Sequence, residues 1–209
     1  MYRLMQRFLP GLGNEPEVRA LLTEMTQQLH AADGRDVGLS AELFSSDGPS
    51  LVVATRAEDL NTLEEYRHRT QANVEWQSRV VKLVRLLRAP VQARVFETLI
   101  RPGGSGPTGI VTRTFGFPAL GKDAEFGSIA EDAVKSSQAA GVRRGLLRQL
   151  LSSTGQVYEV ITLYPDLAAF DQTRKERFAV TSQAVQALHH ISREPIKQRV
   201  FEVLVSLRN

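Results

Sequence analysis

A segment of thirteen residues occurs twice in this 209-residue chain, and it constrains the fold more than any other feature. The first copy, RAPVQARVFETLI, begins at Arg88, and the second, REPIKQRVFEVLV, begins at Arg193. Seven of the thirteen positions are identical, and the copies start 105 residues apart, about half of the chain. This spacing indicates a duplicated domain rather than a short repeat, since domains commonly have about 100 to 150 residues.

The segments that surround the two copies follow the same order in both halves. The first half has a strand, a helix whose apolar residues recur at helical spacing from Val18 to Leu29, two further strands, and a long helical stretch before the repeated strand. The helical stretch is predicted in two pieces, and Asn73 can cap the second piece. The second half repeats this order, with its long helical stretch predicted over 166–193. The β-α-β-β-α-β order predicts two ferredoxin-like units.

A segment rich in glycine and proline separates the two predicted units. RPGGSGPTG, residues 101–109, has two prolines and four glycines in nine residues, which is typical of a linker. We therefore predict a first ferredoxin-like repeat over 1–101, a linker over 102–108 and a second repeat over 109–209.

The predicted strands are apolar on both faces, as LVVAT and VFEVLV show. Such a pattern predicts a sheet that is covered on both sides. The predicted fold class is therefore α+β, with two tandem ferredoxin-like units packed sheet to sheet as an intramolecular α+β barrel. Because one chain completes one barrel, we expect a monomer, or a weak homo-oligomer formed through helices.

Composition excludes several classes of function. The chain has no cysteine, which excludes disulfides, thiolate catalysis and cysteine-ligated metals. The net charge is +3, from 26 basic and 23 acidic residues that are mixed along the sequence, so we expect no specific nucleic-acid partner. No apolar run approaches the length that crosses a bilayer, and the N-terminus resembles a strand rather than an export peptide. We expect a cytoplasmic protein with no membrane partner.

Short motifs in both halves resemble the NIPSNAP family of dimeric α+β barrel proteins. The second half has an Arg-Thr-aromatic strand followed by a Gly-Lys turn and Glu-Phe, and the first half has Glu-Trp-Gln. The matching residues are Arg113, Thr114, Phe115, Gly121, Lys122, Glu125, Phe126, Glu75, Trp76 and Gln77. The resemblance implies the barrel fold. The third strand of that family commonly carries His and Trp on the side that faces the barrel. Val160 and Thr162 occupy the corresponding positions here, so the resemblance does not imply the activity of the family.

Four residues of the second half are the candidate ligand-binding residues. Arg113, Tyr158, Thr162 and Tyr164 are predicted to share one sheet face by the period of two in strands. An apolar pocket with a few polar groups is the usual form of a small-molecule site. We expect a small, largely apolar molecule, which can be anionic, in the barrel. The alternative is a cofactor-independent monooxygenase that acts on an aromatic substrate, so the question of enzyme activity stays open at this point.

No metal and no cofactor are predicted. None of the four histidines has a second ligand at metal spacing, and the adjacent pair diverges around its helix; they are His30, His68, His189 and His190. A haem pocket commonly needs an axial ligand such as histidine, and no predicted strand supplies one.

The repeated strand itself contains an arginine and a glutamate in each copy, Arg94 with Glu97 and Arg199 with Glu202. Residues three apart in a strand point to opposite faces, so the two charges of one copy cannot pair with each other. We interpret them as structural ion pairs or solvated rim residues. The functional alternative is that Arg94 and Arg199 hold an anionic ligand.

Overall fold

A computed structural model describes residues 1–45, 48–150, 155–178 and 183–207. The first half consists of β1 (Tyr2–Phe8), α1 (Glu15–Asp33), β2 (Val37–Glu42), β3 (Leu51–Ala57), α2 (Leu60–Ala72), α3 (Val74–Leu86) and β4 (Gln92–Ile100). The second half consists of β5 (Ile110–Gly116), α4 (Asp123–Ala139), β6 (Arg144–Leu150), β7 (Tyr158–Tyr164), α5 (Leu167–Phe178), α6 (Gln183–His190) and β8 (Lys197–Leu207). Residues 179–182 of the predicted helical stretch lie outside the described residues.

The two halves have the same order of elements, as the sequence predicts. The eight strands form a closed barrel in the order β1-β3-β2-β8-β5-β7-β6-β4. The strand pairs β1 with β3, β2 with β3, β5 with β7 and β6 with β7 are all antiparallel. The predicted α+β barrel is therefore confirmed.

The chain divides into two compact units. Unit 1 comprises residues 1–96 and 202–209, and unit 2 comprises residues 97–201. Each repeated strand therefore contributes residues to both units. The predicted end of the first repeat at residue 101 and the predicted start of the second at residue 109 refer to the duplication in the sequence. These boundaries stay a prediction.

The core of unit 1 forms where α1 covers its sheet. Val18, Leu21, Leu22 and Met25 are buried at the spacing of one helix face. They pack with strand residues such as Leu39 in one apolar cluster. Burial of each such side chain stabilises the fold by about 1.5 to 3 kcal/mol, so this face fixes α1 on the sheet.

The long helical stretch of unit 1 breaks at Asn73, as predicted. Asn73 has an extended backbone, and its side-chain oxygen accepts a hydrogen bond of 2.9 Å from the backbone N–H of Trp76. This contact satisfies one of the amides that a helix leaves unpaired at its start. The prediction of a cap at this position is therefore confirmed.

The core of unit 2 depends on a close contact between β5 and α4. The Phe126 ring packs over Gly116 so closely that a Cβ atom on Gly116 would lie 2.2 Å from Phe126 Cζ. The same ring stacks on Tyr158, with centroids 5.3 Å apart. A glycine is therefore required at the end of β5 for α4 to approach the sheet.

Arg143 contacts two residues of the glycine- and proline-rich linker. Arg143 donates from Nη1 to the Pro107 carbonyl at 2.8 Å and from Nη2 to the Thr108 hydroxyl at 3.1 Å. Gly104 has φ of 74°, and a Cβ there would meet Arg143 Cγ at 3.2 Å. The linker is thus anchored to unit 2 rather than solvated along its length.

In β4, which lies within the first copy of the repeated segment, one of the two charged residues forms a structural ion pair. Glu97 forms an ion pair with Arg148 of β6, whereas the Arg94 side chain is exposed. The interpretation of Glu97 as part of an ion pair is confirmed.

Candidate functional site

The four predicted ligand-binding residues do not share one face of the unit 2 sheet. In the register of β5 and β7, Thr112 lies opposite Thr162 and Arg113 lies opposite Ile161. Successive residues of a strand point to opposite faces, so Arg113 lies on the other face from Thr162. The prediction that all four residues share one sheet face is therefore wrong for Arg113. A shift of one residue in strand register is enough to move a side chain to the other face of the sheet.

Tyr158, Thr162 and Tyr164 lie on the face that carries the helices. The Tyr158 hydroxyl donates to the Asp123 carbonyl at 3.2 Å. The Tyr164 ring meets the Phe170 ring edge-on, with centroids 5.5 Å apart. These three residues therefore form part of the packing between sheet and helices in unit 2.

Polar contacts on this face hold the hydroxyl groups in place. Thr162 accepts a hydrogen bond of 3.1 Å from Arg144 Nε. Burial raises the pKa of both tyrosine hydroxyls, Tyr158 and Tyr164, above the ordinary value, so both stay protonated and neutral at physiological pH. Uncharged, hydrogen-bonded groups at these positions fit a structural role.

Arg113 forms a buried ion pair with Glu159 on the face turned away from the helices. Its Nε lies 2.5 Å from Oε1 and its Nη2 lies 2.8 Å from Oε2, so the pairing is bidentate. The relative exposure is 8% for Arg113 and 0% for Glu159. Glu159 is therefore an inward-facing acid held in an ion pair rather than an exposed residue.

Two aromatic rings flank the guanidinium group of Arg113. Its Cζ lies 5.3 Å from the centroid of the Phe115 ring and 5.4 Å from that of Phe201, distances at which a cation interacts with a ring face. Phe201 is 1% exposed. The site therefore combines one neutralised charge pair with two rings. The contribution of Phe201 could not be predicted from the sequence, because this residue comes from a distant strand.

Unit 1 has apolar residues where unit 2 has the ion pair. β1 pairs with β3 in the same end-to-end register as β5 with β7, so Met5 corresponds to Arg113 and Val52 corresponds to Glu159. Both apolar residues are buried. The same strand pairing therefore forms without a charge at either position.

Histidines and acids do not gather into a metal site in the part of the chain that the structure describes. His30 Nδ1 lies 3.1 Å from the Arg35 carbonyl, and His68 is an exposed helix residue 3.6 Å from Glu64. No helix among the described residues is long and apolar enough to cross a membrane.

The geometry defines an α+β-barrel protein with a buried charged pair on the face of the unit 2 sheet that is turned away from the helices. No protein-family model matches the chain, and no curated protein matches it. Solved structures do match over the whole fold. A proposed monooxygenase of Fusobacterium nucleatum has a TM-score of 0.76 at 10% identity, over 100% of this chain and 94% of that chain.

Two further solved structures are similar in the same way. A proposed monooxygenase of Lactobacillus acidophilus has a TM-score of 0.70 at 6% identity, over 99% of this chain and 95% of that chain. A heme-degrading enzyme of Listeria monocytogenes has a TM-score of 0.51 at 10% identity, over 97% and 99%. At such low identity these likenesses show the fold alone, an α+β barrel of eight strands.

Proposed function

We propose that the protein binds a small, largely apolar molecule beside Arg113 and Glu159, on the face of the unit 2 sheet that is turned away from the helices. The observation that carries the proposal is the buried ion pair with its two flanking rings. Of the four residues predicted to bind a ligand, Arg113 is the one retained in this site.

The energetics of the pair support a role beyond folding. Taking two charges out of water costs several kcal/mol per ion, and a buried pair is often no more stabilising than apolar residues of similar volume. Met5 and Val52 fill the matching positions of unit 1. A pair that the fold does not require, kept in one repeat, fits a ligand-binding role.

The chemistry of the site suggests the class of ligand. Glu159 balances the charge of Arg113, so the pair adds polarity without net charge. Phe115 and Phe201 supply apolar ring surface next to it. A mostly apolar molecule with one polar group fits such a lining, in line with small-molecule sites in general.

The alternative function is a cofactor-independent monooxygenase acting on an aromatic substrate, which the similar fold of two proposed monooxygenases suggests. Such a reaction commonly needs a group that accepts a proton from the substrate. Glu159 is the acid on this face, and both of its oxygens accept hydrogen bonds from Arg113. This engagement favours binding over proton abstraction, and oxygen uptake with 2-naphthol as substrate tests the alternative.

The test of the binding function uses the double variant R113M/E159V, which places the unit 1 residues at both positions. Octanoate and 2-naphthol serve as probes in thermal-shift titrations, and native mass spectrometry detects molecules that purify with the protein. A probe at a hundredfold excess over its Kd should stabilise the wild-type protein by about 2.7 kcal/mol.

The double variant should lose this stabilisation and any molecule that purifies with the wild-type protein. The control is R148M/E97V, which removes the more exposed ion pair of unit 2 and should keep the binding. Equal binding of the probes by wild-type protein and R113M/E159V would contradict the proposed site.

A further inference from the structure

Unit 1 has a cleft at its helices, far along the sequence from the residues of the proposed barrel site. It has a volume of about 520 Å³ and lies where the end of α1, the end of α2 and the start of α3 meet. Its lining includes Leu29, Asp33, Arg35, Arg69, Asn73 and Trp76. The volume lies in the range of roughly 300 to 1,000 Å³ that is typical of small-molecule sites.

One wall of the cleft is a fixed charged platform. The side chains of Asp33 and Arg35 are 8% and 5% exposed and form an ion pair through two contacts, Arg35 Nε to Asp33 Oδ1 at 2.7 Å and Nη2 to Oδ2. The Arg35 guanidinium lies 4.1 Å above the centroid of the Tyr66 ring. Stacking and bidentate pairing hold this arginine in one orientation.

The ionisation of Asp33 keeps the platform intact. Burial acts to raise the pKa of the Asp33 carboxyl, but the hydrogen bonds and charge of Arg35, with the charge of Arg69, outweigh burial and lower it below the ordinary value. Asp33 therefore stays ionised and paired with Arg35 at physiological pH.

Arg69 is the cation of the cleft that can turn toward a ligand. Its side chain is 59% exposed, and its contacts are long, 3.8 Å from Nη1 to Asp33 Oδ2 and 3.5 Å from Nη2 to Glu65 Oε2. The pair with Glu65 is exposed on both sides, and such pairs contribute little to stability, while Asp33 keeps its closer pairing with Arg35 when Arg69 turns. Reorientation of Arg69 toward an anion in the cleft therefore has a low cost.

Trp76 adds an aromatic surface to the lining of the cleft. Trp76 is half-buried at the start of α3 and packs against the apolar core of unit 1. Its backbone is fixed by the Asn73 cap. A planar ring in the cleft can stack on the indole, as aromatic rings do at centroid distances of about 4.5 to 7 Å.

We propose that this cleft binds a small aromatic monocarboxylate, with the ring against Trp76 and the carboxylate on Arg69. The charges of the lining favour a monoanion over a dianion. Arg35 and Arg69 share the lining with Asp33 and Glu75, and each of these carboxylates is already paired, Asp33 with Arg35 and Glu75 with Arg79 at 2.7 Å. A second negative charge on the ligand would meet these two carboxylates.

Trp76 supplies a specific assay, because it is the only tryptophan of the chain. Benzoate titrated into the 209-residue chain should change the tryptophan fluorescence in a saturable way. Benzamide, which keeps the ring without the charge, and cyclohexanecarboxylate, which keeps the charge without the aromatic ring, should each bind more weakly. R69Q should weaken benzoate binding by about tenfold, the effect of one charge-assisted hydrogen bond.

The matched control is R67Q on the same helix. Arg67 is 60% exposed and pairs with Glu64 as Arg69 pairs with Glu65, but it is not part of the lining. R67Q should leave benzoate affinity unchanged. The double variant R113M/E159V should also leave it unchanged, which separates this cleft from the site proposed above.

Three results would overturn the proposal. The first is the absence of a saturable change with benzoate. The second is equal weakening by R67Q and R69Q, which would indicate binding to surface charge alone. The third is loss of benzoate binding in R113M/E159V, which would assign the fluorescence change to the unit 2 site.

Discussion

The buried pair of Arg113 and Glu159 permits a double-mutant cycle with a clear expectation. E159V leaves Arg113, 8% exposed, without the carboxylate that pairs with it, and R113M leaves a carboxylate that is 0% exposed without this guanidinium. Removing one partner of a buried pair costs about 3 to 5 kcal/mol, because a charge stays buried and uncompensated. Each single variant should therefore lose about that much free energy of unfolding.

The double variant R113M/E159V should be far more stable than the sum of the single effects predicts. It removes both charges and installs the residues that unit 1 carries at Met5 and Val52. Replacing a buried pair by apolar residues of similar volume is commonly neutral or stabilising by about 1 to 4 kcal/mol. The coupling energy should therefore exceed about 3 kcal/mol, above the usual range for contacting residues.

The assay is urea unfolding followed by far-ultraviolet circular dichroism, which reports on both units, whereas fluorescence reports only on the surroundings of Trp76. The m-value should stay constant across the four proteins if the denatured state is unchanged. The control cycle uses Arg148 and Glu97, whose side chains are 41% and 29% exposed. Its coupling should be about 1 kcal/mol or less. Additive single effects at Arg113 and Glu159 would refute the reasoning.

Three other outcomes follow from the packing and from the duplication. G116A should lose about 1 to 3 kcal/mol in urea unfolding through its clash with Phe126, whereas G103A, whose Cβ meets nothing closer than 3.8 Å, should change stability by less than about 0.5 kcal/mol. Burial raises the pKa of the Tyr164 hydroxyl, so the folded chain keeps this proton at pH values where the unfolded chain releases it. Stability should therefore fall as pH rises above about 10, and Y164F should reduce that fall in unfolding curves measured across this range. Light scattering should give a monomer, or a dimer that dissociates on dilution, and a dimer that persists at nanomolar concentration would contradict this expectation.

The order of elements could be predicted from the sequence because its signals are local. The apolar spacing from Val18 to Met25 identifies α1 without knowledge of its partners, and these residues are buried as a helix face should be. Asn73 acts as a cap through an amide three residues away. The duplicated strand then extends the same interpretation to the second half.

The faces of the unit 2 strands could not be predicted, because register is set by partners that are distant in sequence. Tyr158, Thr162 and Tyr164 do share a face within β7, as a period of two requires. Arg113 lies on another strand, and no residue pattern states whether it stands opposite Ile161 or opposite Thr162. Because both faces of these strands are apolar, the alternation of apolar and polar residues could not identify the register of β5 against β7.

The cleft of unit 1 could not be predicted from the sequence either, for a related reason. Its lining comes from the end of α1 and from the junction of α2 and α3, which meet only in the folded unit. Trp76 belongs to a Glu-Trp-Gln motif in the sequence, but two other residues of the same lining, Asp33 and Arg35, lie about forty residues earlier.

A comparison of the two units separates what the fold needs from what unit 2 adds. β1 pairs with β3 in the same end-to-end register as β5 with β7, so Met5 and Val52 show that apolar residues suffice at positions where unit 2 buries Arg113 and Glu159. A charged pair at a position that apolar residues can fill brings a desolvation cost and little gain in stability. If R113M/E159V folds and loses its ligand, then the pair belongs to the function of unit 2 rather than to the folding of the barrel.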